Sequence, residues 1–251
     1  MKPARRNAPI AWITLYGALT GVMALVPIFP YVGGGGYVPL LVPFAAIAPL
    51  LLGTAGGILA AIIGGFIGMF IAPAGFPLQV VDVLLTAVLP AVAVGAVIHR
   101  RYFIWALLLS LLNAAFAIFF PFYLPGAAAG FQAPPEPVFS LLSAYYWAPP
   151  LIVILTPIGR RWLPQLAQSE DRRQKYLGIF LAILTGLFIW FNPWSRPYWY
   201  ILKYAPSLGV ATLIGYTWWV PTLALVITII AVPLLEALSR SGLPKVEEGL
   251  W

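Results

Sequence analysis

Few side chains in this sequence have the chemistry that catalysis or ion coupling requires. Within the long apolar segments the only carboxylates are Asp82 and Glu236, and the single histidine, His99, lies beside two arginines. Acid–base catalysis needs paired groups and a metal needs a cluster of ligands, and neither pattern occurs. The glycine run at 33–36 lacks the Lys-Ser/Thr of a phosphate-binding loop. We therefore predict that the protein is not an enzyme and has neither a cofactor nor a metal site.

A second set of residues is better suited to holding a small molecule than to reacting with it. Aromatic side chains with one carboxylate and a few polar groups suit a small, flat, partly polar ligand. The glycines of the segment 29–39, FPYVGGGGYVP, would act as hinges of a gate over such a pocket. The candidate binding residues are Tyr31, Gly34, Tyr37, Asp82, Asn113, Tyr145, Tyr146 and Trp147.

These residues also have simpler interpretations that the sequence leaves open. Asp82 lies near the end of its apolar segment, where a carboxylate can face lipid headgroups at modest cost. Asn113 lies near the middle of an apolar segment and would tie two helices together. The Trp and Tyr residues would form an interfacial aromatic belt.

The composition determines which elements must position these residues. Of the 251 residues, 62% are hydrophobic and 8% are charged, whereas a soluble domain has about 25% charged residues. The apolar runs are long and continuous, which favours membrane-spanning helices over a β-barrel. There is no cysteine, so disulfides and thiolate chemistry are excluded. We predict an all-α fold, a polytopic integral membrane bundle of about eight transmembrane helices.

The predicted spans are separated by short polar or Gly/Pro-rich segments. The second and third are divided only by Gly53 and Thr54, so they would form a tight helical hairpin or a partly re-entrant pair. The last contains Pro221 and Pro233, which predict kinks. The spans are 10–30, 38–52, 54–72, 78–98, 102–123, 138–159, 176–193 and 208–238.

The basic residues predict the orientation. With the N-terminus inside, the inner segments hold twelve of the 14 Lys and Arg residues, including Lys2, Arg5 and Arg6, and the outer segments hold only Arg196 and Lys203. Cytoplasmic loops carry such an excess. We therefore expect both termini in the cytoplasm and the chain in the plasma membrane, and we interpret the net charge of +7 as a topology signal rather than as a nucleic-acid site.

The polar stretch 162–175 divides the predicted spans into two groups. We interpret 1–161 as a six-helix membrane block, 162–175 as a cytoplasmic linker and 176–251 as a two-helix extension with a cytoplasmic tail. In the first span, Gly17 and Gly21 form a small-residue face, for which contact with another subunit and packing within the chain are both open.

Residues 15–71 resemble the substrate-binding S components of energy-coupling factor (ECF) transporters. The resemblance rests on a small-residue first helix (GALTGVMALVPIF), a Gly/Pro-bearing loop (PYVGGGGYVP), a short apolar helix (LLVPFAAIAPLLLG) and a glycine-rich helix (GTAGGILAAIIGGFIGMFI). It implies an outward-facing, vitamin-sized pocket with the first outer loop as its lid. It also implies a transmembrane coupling subunit, contacted by Gly17 and Gly21, and two cytoplasmic ATPases. Two predicted spans lie beyond the six usual in that family.

Two functions therefore remain in view. The first is a membrane-embedded substrate-binding subunit for uptake of a small molecule, with the lipid bilayer, the ligand, the coupling subunit and the ATPases as partners. It predicts a closed cavity beneath 29–39, lined by Asp82, Asn113 and Tyr146. The alternative is an accessory or structural subunit of a larger membrane complex, in which those three residues are packed tightly and an apolar flank contacts other subunits.

Overall fold

The protein is a bundle of α-helices with one small β-hairpin. The computed structural model describes residues 7–131 and 137–251, so Lys2, Arg5 and Arg6 lie outside the described residues. The helices are α1 (Ile10–Val22), α2 (Leu41–Ile71), α3 (Val80–Asp82), α4 (Leu89–Ile98), α5 (Phe103–Phe119), α6 (Pro137–Leu155), α7 (Leu163–Ala167), α8 (Arg172–Ile201) and α9 (Pro206–Arg240). A π-helical segment (Val83–Val88) joins α3 to α4, and another (Ile158–Trp162) precedes α7. The strands are β1 (Pro27–Pro30) and β2 (Tyr37–Pro39).

Six helical stretches in the described part of the chain are long and apolar enough to cross a membrane. They are Leu41–Ile71, Val80–Ile98, Arg100–Phe119, Pro137–Leu155, Arg172–Ile201 and Pro206–Arg240. The predicted helical, multi-pass architecture is confirmed at this level. The two other predicted spans correspond to α1, which is shorter, and to the first half of α2.

The long helix α2 is broken at Gly53, whose φ of 72° and ψ of 167° are not helical. A Cβ placed on Gly57 would lie 2.5 Å from the backbone nitrogen of Pro49. In a continuous helix these two residues would be about 12 Å apart. The chain therefore reverses at Gly53, and the halves 41–52 and 54–71 form a tight helical hairpin, one of the two predicted alternatives.

The C-terminal tail covers this break and satisfies helix ends on both sides of it. The carboxylate of Glu248 accepts a hydrogen bond from the backbone N–H of Thr54, at 3.2 Å. The indole of Trp251 donates to the carbonyl of Leu51 at 2.8 Å, and the backbone N–H of Leu250 donates to the carbonyl of Leu50 at 2.9 Å. The first N–H and last C=O groups of a helix have no partner within it. The tail therefore supplies the partners that the break at Gly53 removes.

Helix α8 lies at the centre of the bundle and contacts α4, α5, α6 and α9. Its buried face reaches from Gly178 to Trp199. A Cβ on Gly186 would lie 2.6 Å from the side chain of Val94, so α8 and α4 are in close contact. The predicted extension 176–251 is therefore packed into the rest of the bundle, and α7, within the predicted linker, packs on α8 as well.

The predicted inner and outer segments gather at opposite ends of the bundle. One end, which we call the tail end, holds the C-terminal tail and a salt bridge between Arg172 and Glu236 at 3.3 Å. The other, the hairpin end, holds β1, β2 and a hydrogen bond from the hydroxyl of Tyr200 to the carbonyl of Pro125 at 2.7 Å.

The region between α1 and α2 differs from the prediction. The first helix was expected to reach residue 30, but α1 ends at Val22, a 3-10 turn covers Met23–Leu25, and strand β1 follows. Proline lacks a backbone N–H and disfavours the helical conformation in the residue before it, and β1 both begins and ends with proline. β1 pairs antiparallel with β2, so the predicted loop 29–39 is largely a β-hairpin.

Replacing Glu248 with alanine should destabilise the protein, because the N–H of Thr54 loses its acceptor and Arg101 loses its salt-bridge partner. We expect the free energy of unfolding to fall by about 1 kcal/mol, the usual value of a helix N-cap. Thermal unfolding in detergent measures it, with Glu247→Ala at an exposed neighbouring position as the control.

The same contact predicts a pH dependence. Burial raises the pKa of Glu248, but the Thr54 N–H, the nearby His99 and the hydroxyl of Tyr102 lower it by more, and the net pKa is below its ordinary value. The stabilisation by Glu248 is therefore complete when the pH is above the ordinary pKa of glutamate. It is lost as the pH falls through the lowered pKa of Glu248 in the folded protein. Equal acid sensitivity of the wild type and Glu248→Ala would contradict this account.

Candidate binding site at the hairpin end

The carboxylate of Asp82 is the centre of a buried hydrogen-bond network between α3 and α8. Asp82 is fully buried and accepts hydrogen bonds from the hydroxyl of Tyr198 and the backbone N–H of Leu78. Because the Tyr198 hydroxyl donates to Asp82, it accepts from Tyr31, at 3.2 Å. The hydroxyl of Thr86 lies 3.4 Å from the hydroxyl oxygen of Tyr198. Asp82 therefore faces the bundle interior.

Two indole groups extend this network along α8. Trp194 donates to the hydroxyl of Thr86 at 3.2 Å, and Trp190 donates to the carbonyl of Leu85 at 2.7 Å. Leu85 and Thr86 belong to the π-helical segment that follows Asp82. The rings of Trp190 and Trp194 stack with centroids 4.5 Å apart. The π-helical segment and the aromatic row on α8 thus hold each other in place.

A small aromatic cavity lies against this network, beneath the tip of the β-hairpin. Its volume is about 20 Å³, enough for one water molecule. Its polar lining includes Thr212 and the hydroxyl of Ser195, which is buried and has no hydrogen-bond partner among the described residues. Six aromatic residues line it: Tyr31, Trp194, Tyr198, Trp199, Tyr204 and Tyr216.

The tip of the hairpin, residues 31–36, forms part of the wall of this cavity through Tyr31 and Val32. The hydroxyl of Tyr204 donates to the carbonyl of Gly34, and a Cβ on Gly33 would lie 2.5 Å from the ring of Tyr204. A residue with a side chain therefore does not fit at position 33 while the ring stays in place. Gly34 and Gly35 have φ values of 80° and 84°, a conformation that favours glycine. The tip is thus a turn that rests on an aromatic ring.

A second polar network joins α5, α6 and α8. The side-chain amide of Asn192 donates to Asn113 at 2.9 Å, and the amide of Asn113 donates to the carbonyl of Tyr146 at 3.0 Å. The hydroxyl of Tyr146 donates to the carbonyl of Leu213 in α9, at 2.7 Å. All three side chains are fully buried. This network ties four helices together.

Arg196 completes this second network and is fully buried. Its Nη2 donates to the hydroxyl of Ser143 at 2.7 Å, and its Nε donates to Asn192 at 3.3 Å. The guanidinium carbon lies 4.1 Å from the ring centroid of Trp199 and 4.7 Å from that of Phe139. The two aromatic faces therefore stabilise the cation through cation–π contacts.

The candidate residues chosen from the sequence lie in several places. Tyr31 and Asp82 belong to the first network, and Gly34 lies at the hairpin tip. Asn113 and Tyr146 belong to the second network, away from the lining of the aromatic cavity.

The remaining candidates lie outside both networks. The hydroxyl of Tyr37 donates to the carbonyl of Ala24 at 3.0 Å, and that of Tyr145 donates to Thr217 at 3.1 Å. Trp147 lines a separate pocket between α5 and α6. Gly17 and Gly21 are buried against α2, where a Cβ on Gly21 would lie 2.6 Å from Ile67. Here, therefore, the glycine pair packs within the chain.

The contribution of α8 was not predicted from the sequence. Arg196 was predicted in an outer segment, but α8 continues through Pro193 and Pro197 to Ile201. A signal was present in the four-residue spacing of Trp190, Trp194 and Tyr198, which places three aromatic rings on one helix face.

Comparisons of the chain with protein-family models, curated proteins and solved structures give no match. The function must therefore be argued from the site itself. Among residues 7–131 and 137–251, no group of three His, Cys, Asp or Glu residues is placed to hold a metal ion.

A larger cavity, of about 1020 Å³, lies at the tail end. It is a wide, open space lined by charges of both signs, among them Arg172, Lys175, Glu236 and Glu247. At its edge is His99, whose pKa is lowered because the ring is buried. Ligand pockets are lined mainly by hydrophobic and aromatic side chains with a few polar groups, so we take the smaller aromatic cavity as the candidate site.

Replacing Asp82 with alanine should destabilise the protein strongly, because the Tyr198 hydroxyl and the Leu78 N–H both lose their acceptor. A buried polar group left without a partner costs about 1–3 kcal/mol. Asp82→Asn keeps an acceptor oxygen and should lose less stability than Asp82→Ala. Thermal unfolding compares the stabilities of these variants, with Tyr123→Phe at an exposed tyrosine as the control. Melting temperatures for Asp82→Ala and Tyr123→Phe that do not differ would contradict the network.

Proposed function

We propose that this chain is a membrane-embedded substrate-binding subunit, which takes a vitamin-sized molecule from outside the cell for uptake energised by partner ATPases. The observation that carries the proposal is the aromatic cavity beneath residues 31–36. Its walls combine ring faces with the unpartnered hydroxyl of Ser195, and the carboxylate of Asp82 lies behind Tyr198. This is the lining expected for a small, flat, partly polar ligand.

Binding requires the cavity to enlarge, since its present volume of about 20 Å³ holds only a water molecule. Two hydrogen bonds hold the tip down, from Tyr204 to Gly34 and from Tyr31 to Tyr198. Both are made by tyrosine hydroxyls, which a polar ligand can engage instead. The tip then acts as the lid, and its contacts in the empty state are exchanged for contacts with the ligand.

The proposal places the hairpin end outside and both termini in the cytoplasm. With eight crossings, of which α1 and the two halves of α2 are three, the tail end carries most of the Lys and Arg residues, as cytoplasmic segments do. The half 41–52 would be about 18 Å long and would cross only part of the hydrocarbon, which is about 30 Å thick.

The energy for uptake would come from partners. A buried relay of carboxylates and histidines, which a proton-driven transporter needs, does not occur among the described residues, where Asp82 is engaged by Tyr198. The resemblance of 15–71 to ECF S components points to a transmembrane coupling subunit and cytoplasmic ATPases. Because Gly17 and Gly21 pack on α2, the surface of α1 open to such a partner includes Leu15, Leu19 and Val22.

An accessory subunit of a larger membrane complex is the second candidate, and one observation favours it. Asn113 and Tyr146 are fully buried and tie helices together, as that function predicts. An exposed apolar flank on α5, with Ile104, Trp105 and Leu108, would then contact other subunits.

Native mass spectrometry of the protein extracted from its own membrane distinguishes the two functions. We expect a vitamin-sized molecule to remain bound to the wild type and to be lost from Thr212→Trp, which fills the cavity. Thr222→Trp, at an exposed position on the same helix, should retain it. A protein without ligand, attached stoichiometrically to a complex that contains no ATPase, would contradict the binding-subunit proposal and support the accessory one.

A further inference from the structure

Arg196 is a buried cation whose charge is not balanced by a carboxylate within the described residues. Of its five N–H donors, only those on Nε and Nη2 are used, and Nη1 is buried without a hydrogen-bond partner there. The two salt bridges that the described chain forms, Arg101–Glu248 and Arg172–Glu236, involve other arginines. Buried charges are normally paired, because an unpaired one keeps its full desolvation cost.

A pocket of about 270 Å³ lies between α5 and α6 and is separated from this arginine by side chains that contact it. Two of its lining residues, Phe139 and Ser143, are the residues that contact the guanidinium. A second hydroxyl, that of the exposed Ser140, also lines the pocket. The pocket thus has a polar side that adjoins the positive charge of Arg196.

The opposite wall of the pocket is apolar and reaches the outer surface of the bundle. It is formed by Ala117, Ile118 and Phe119, and the last two are 46% and 64% exposed. Both belong to a helix long and apolar enough to cross the membrane. The pocket therefore opens sideways, towards the space that acyl chains would occupy.

We propose that this pocket binds an amphipathic anion, a molecule with a carboxylate or phosphate head and an apolar tail. The head accepts a hydrogen bond from the hydroxyl of Ser143, which itself accepts one from Arg196, and the tail lies along Ile118 and Phe119. A guanidinium forms strong, directional hydrogen bonds with carboxylates and phosphates. Phe139 and Trp199 cover its faces, so that Ser143 is the side chain through which its edge is joined to the pocket.

This site is separate from the aromatic cavity and does not depend on the proposed function. Trp199 lines that cavity and also contacts the guanidinium of Arg196, but neither Phe139 nor Ser143 lines it. A ligand in the α5–α6 pocket therefore enters from the membrane, whereas a ligand in the aromatic cavity enters beneath the hairpin tip.

The test uses four probes that share a dodecyl chain. Laurate and monododecyl phosphate are anionic, dodecanol is neutral and dodecyltrimethylammonium is cationic. Each is titrated at neutral pH or above into the full chain in dodecyl maltoside, after removal of bound lipid, and binding is measured by calorimetry and by the change in melting temperature. A charge-assisted hydrogen bond is worth about 1.5–3 kcal/mol. We therefore expect the two anions to bind roughly ten-fold or more tightly than dodecanol.

Variants assign the binding to Arg196 and to the pocket. Arg196→Met should remove the preference for the anions, and Arg196→Lys should retain part of it. Should Arg196→Met fail to fold, Ser140→Leu provides a second variant, which narrows the pocket without touching the contacts of Arg196. Ser239→Leu, at an exposed serine of the tail end, is the matched control and should bind as the wild type does.

Three results would overturn the proposal. They are equal binding of laurate and dodecanol, an unchanged anion preference in folded Arg196→Met, and unchanged laurate binding in Ser140→Leu. A fourth concerns Glu136, which lies outside the described residues. If the anions bind only to Glu136→Gln, the chain supplies its own counter-ion and the proposal fails. If they bind to the wild type, the mass of the molecule that co-purifies from membranes tells a phospholipid from a free fatty acid.

Discussion

A polar side chain inside an apolar helical bundle must find its hydrogen-bond partner within the protein, and this constraint organises the hairpin end. Helix α8 brings Asn192, Arg196 and Tyr198 into the interior, and each is joined to a different helix. The partner of Tyr198 is Asp82 in α3, that of Asn192 is Asn113 in α5, and that of Arg196 is Ser143 in α6. Once these bonds form, the position and rotation of α8 are determined, because an unpaired group in lipid costs several kcal/mol.

The aromatic cavity follows from that arrangement. With the hydroxyl of Tyr198 turned towards Asp82, its ring and that of Trp194 form one wall beneath the hairpin tip. Tyr31, on the tip, then bonds to the same hydroxyl. The lid and the floor of the cavity therefore share one hydrogen-bond network. Displacement of the lid breaks the bond from Tyr31 to the hydroxyl group that donates to the buried carboxylate of Asp82.

The tail end is governed by a different requirement, the satisfaction of broken helix ends. Gly53 permits a chain reversal that leaves backbone groups of α2 without partners inside the helix, and the C-terminal tail provides them through Glu248 and Trp251. The last residues of the chain thus stabilise a helical hairpin formed near its beginning. This contact also joins the predicted extension to the predicted six-helix block.

Features that depend on local sequence could be predicted, and those that depend on tertiary packing could not. Long apolar runs identified the membrane helices, and the pair Gly53–Thr54 identified the break in α2, because helix formation and its interruption are local properties. The position of Arg196 depended on whether α8 continues through Pro193 and Pro197, and that is decided by the helices around it. The pairing of Asp82 with Tyr198 joins residues 116 positions apart, which the spacing of residue types does not reveal.

The accessibility of Ser195 tests the central claim most directly, namely that the aromatic cavity is a gated binding site. Because the chain has no cysteine, Ser195→Cys provides a single thiol in the cavity lining, to be reacted with a membrane-impermeant thiol reagent added from the hairpin side. Ser207→Cys, at an exposed position, and Ala231→Cys, buried elsewhere in α9, are the two references. The account predicts that the thiol at 195 reacts more slowly than that at 207 but far faster than that at 231, because the tip opens. A thiol at 195 as unreactive as the one at 231 would contradict it.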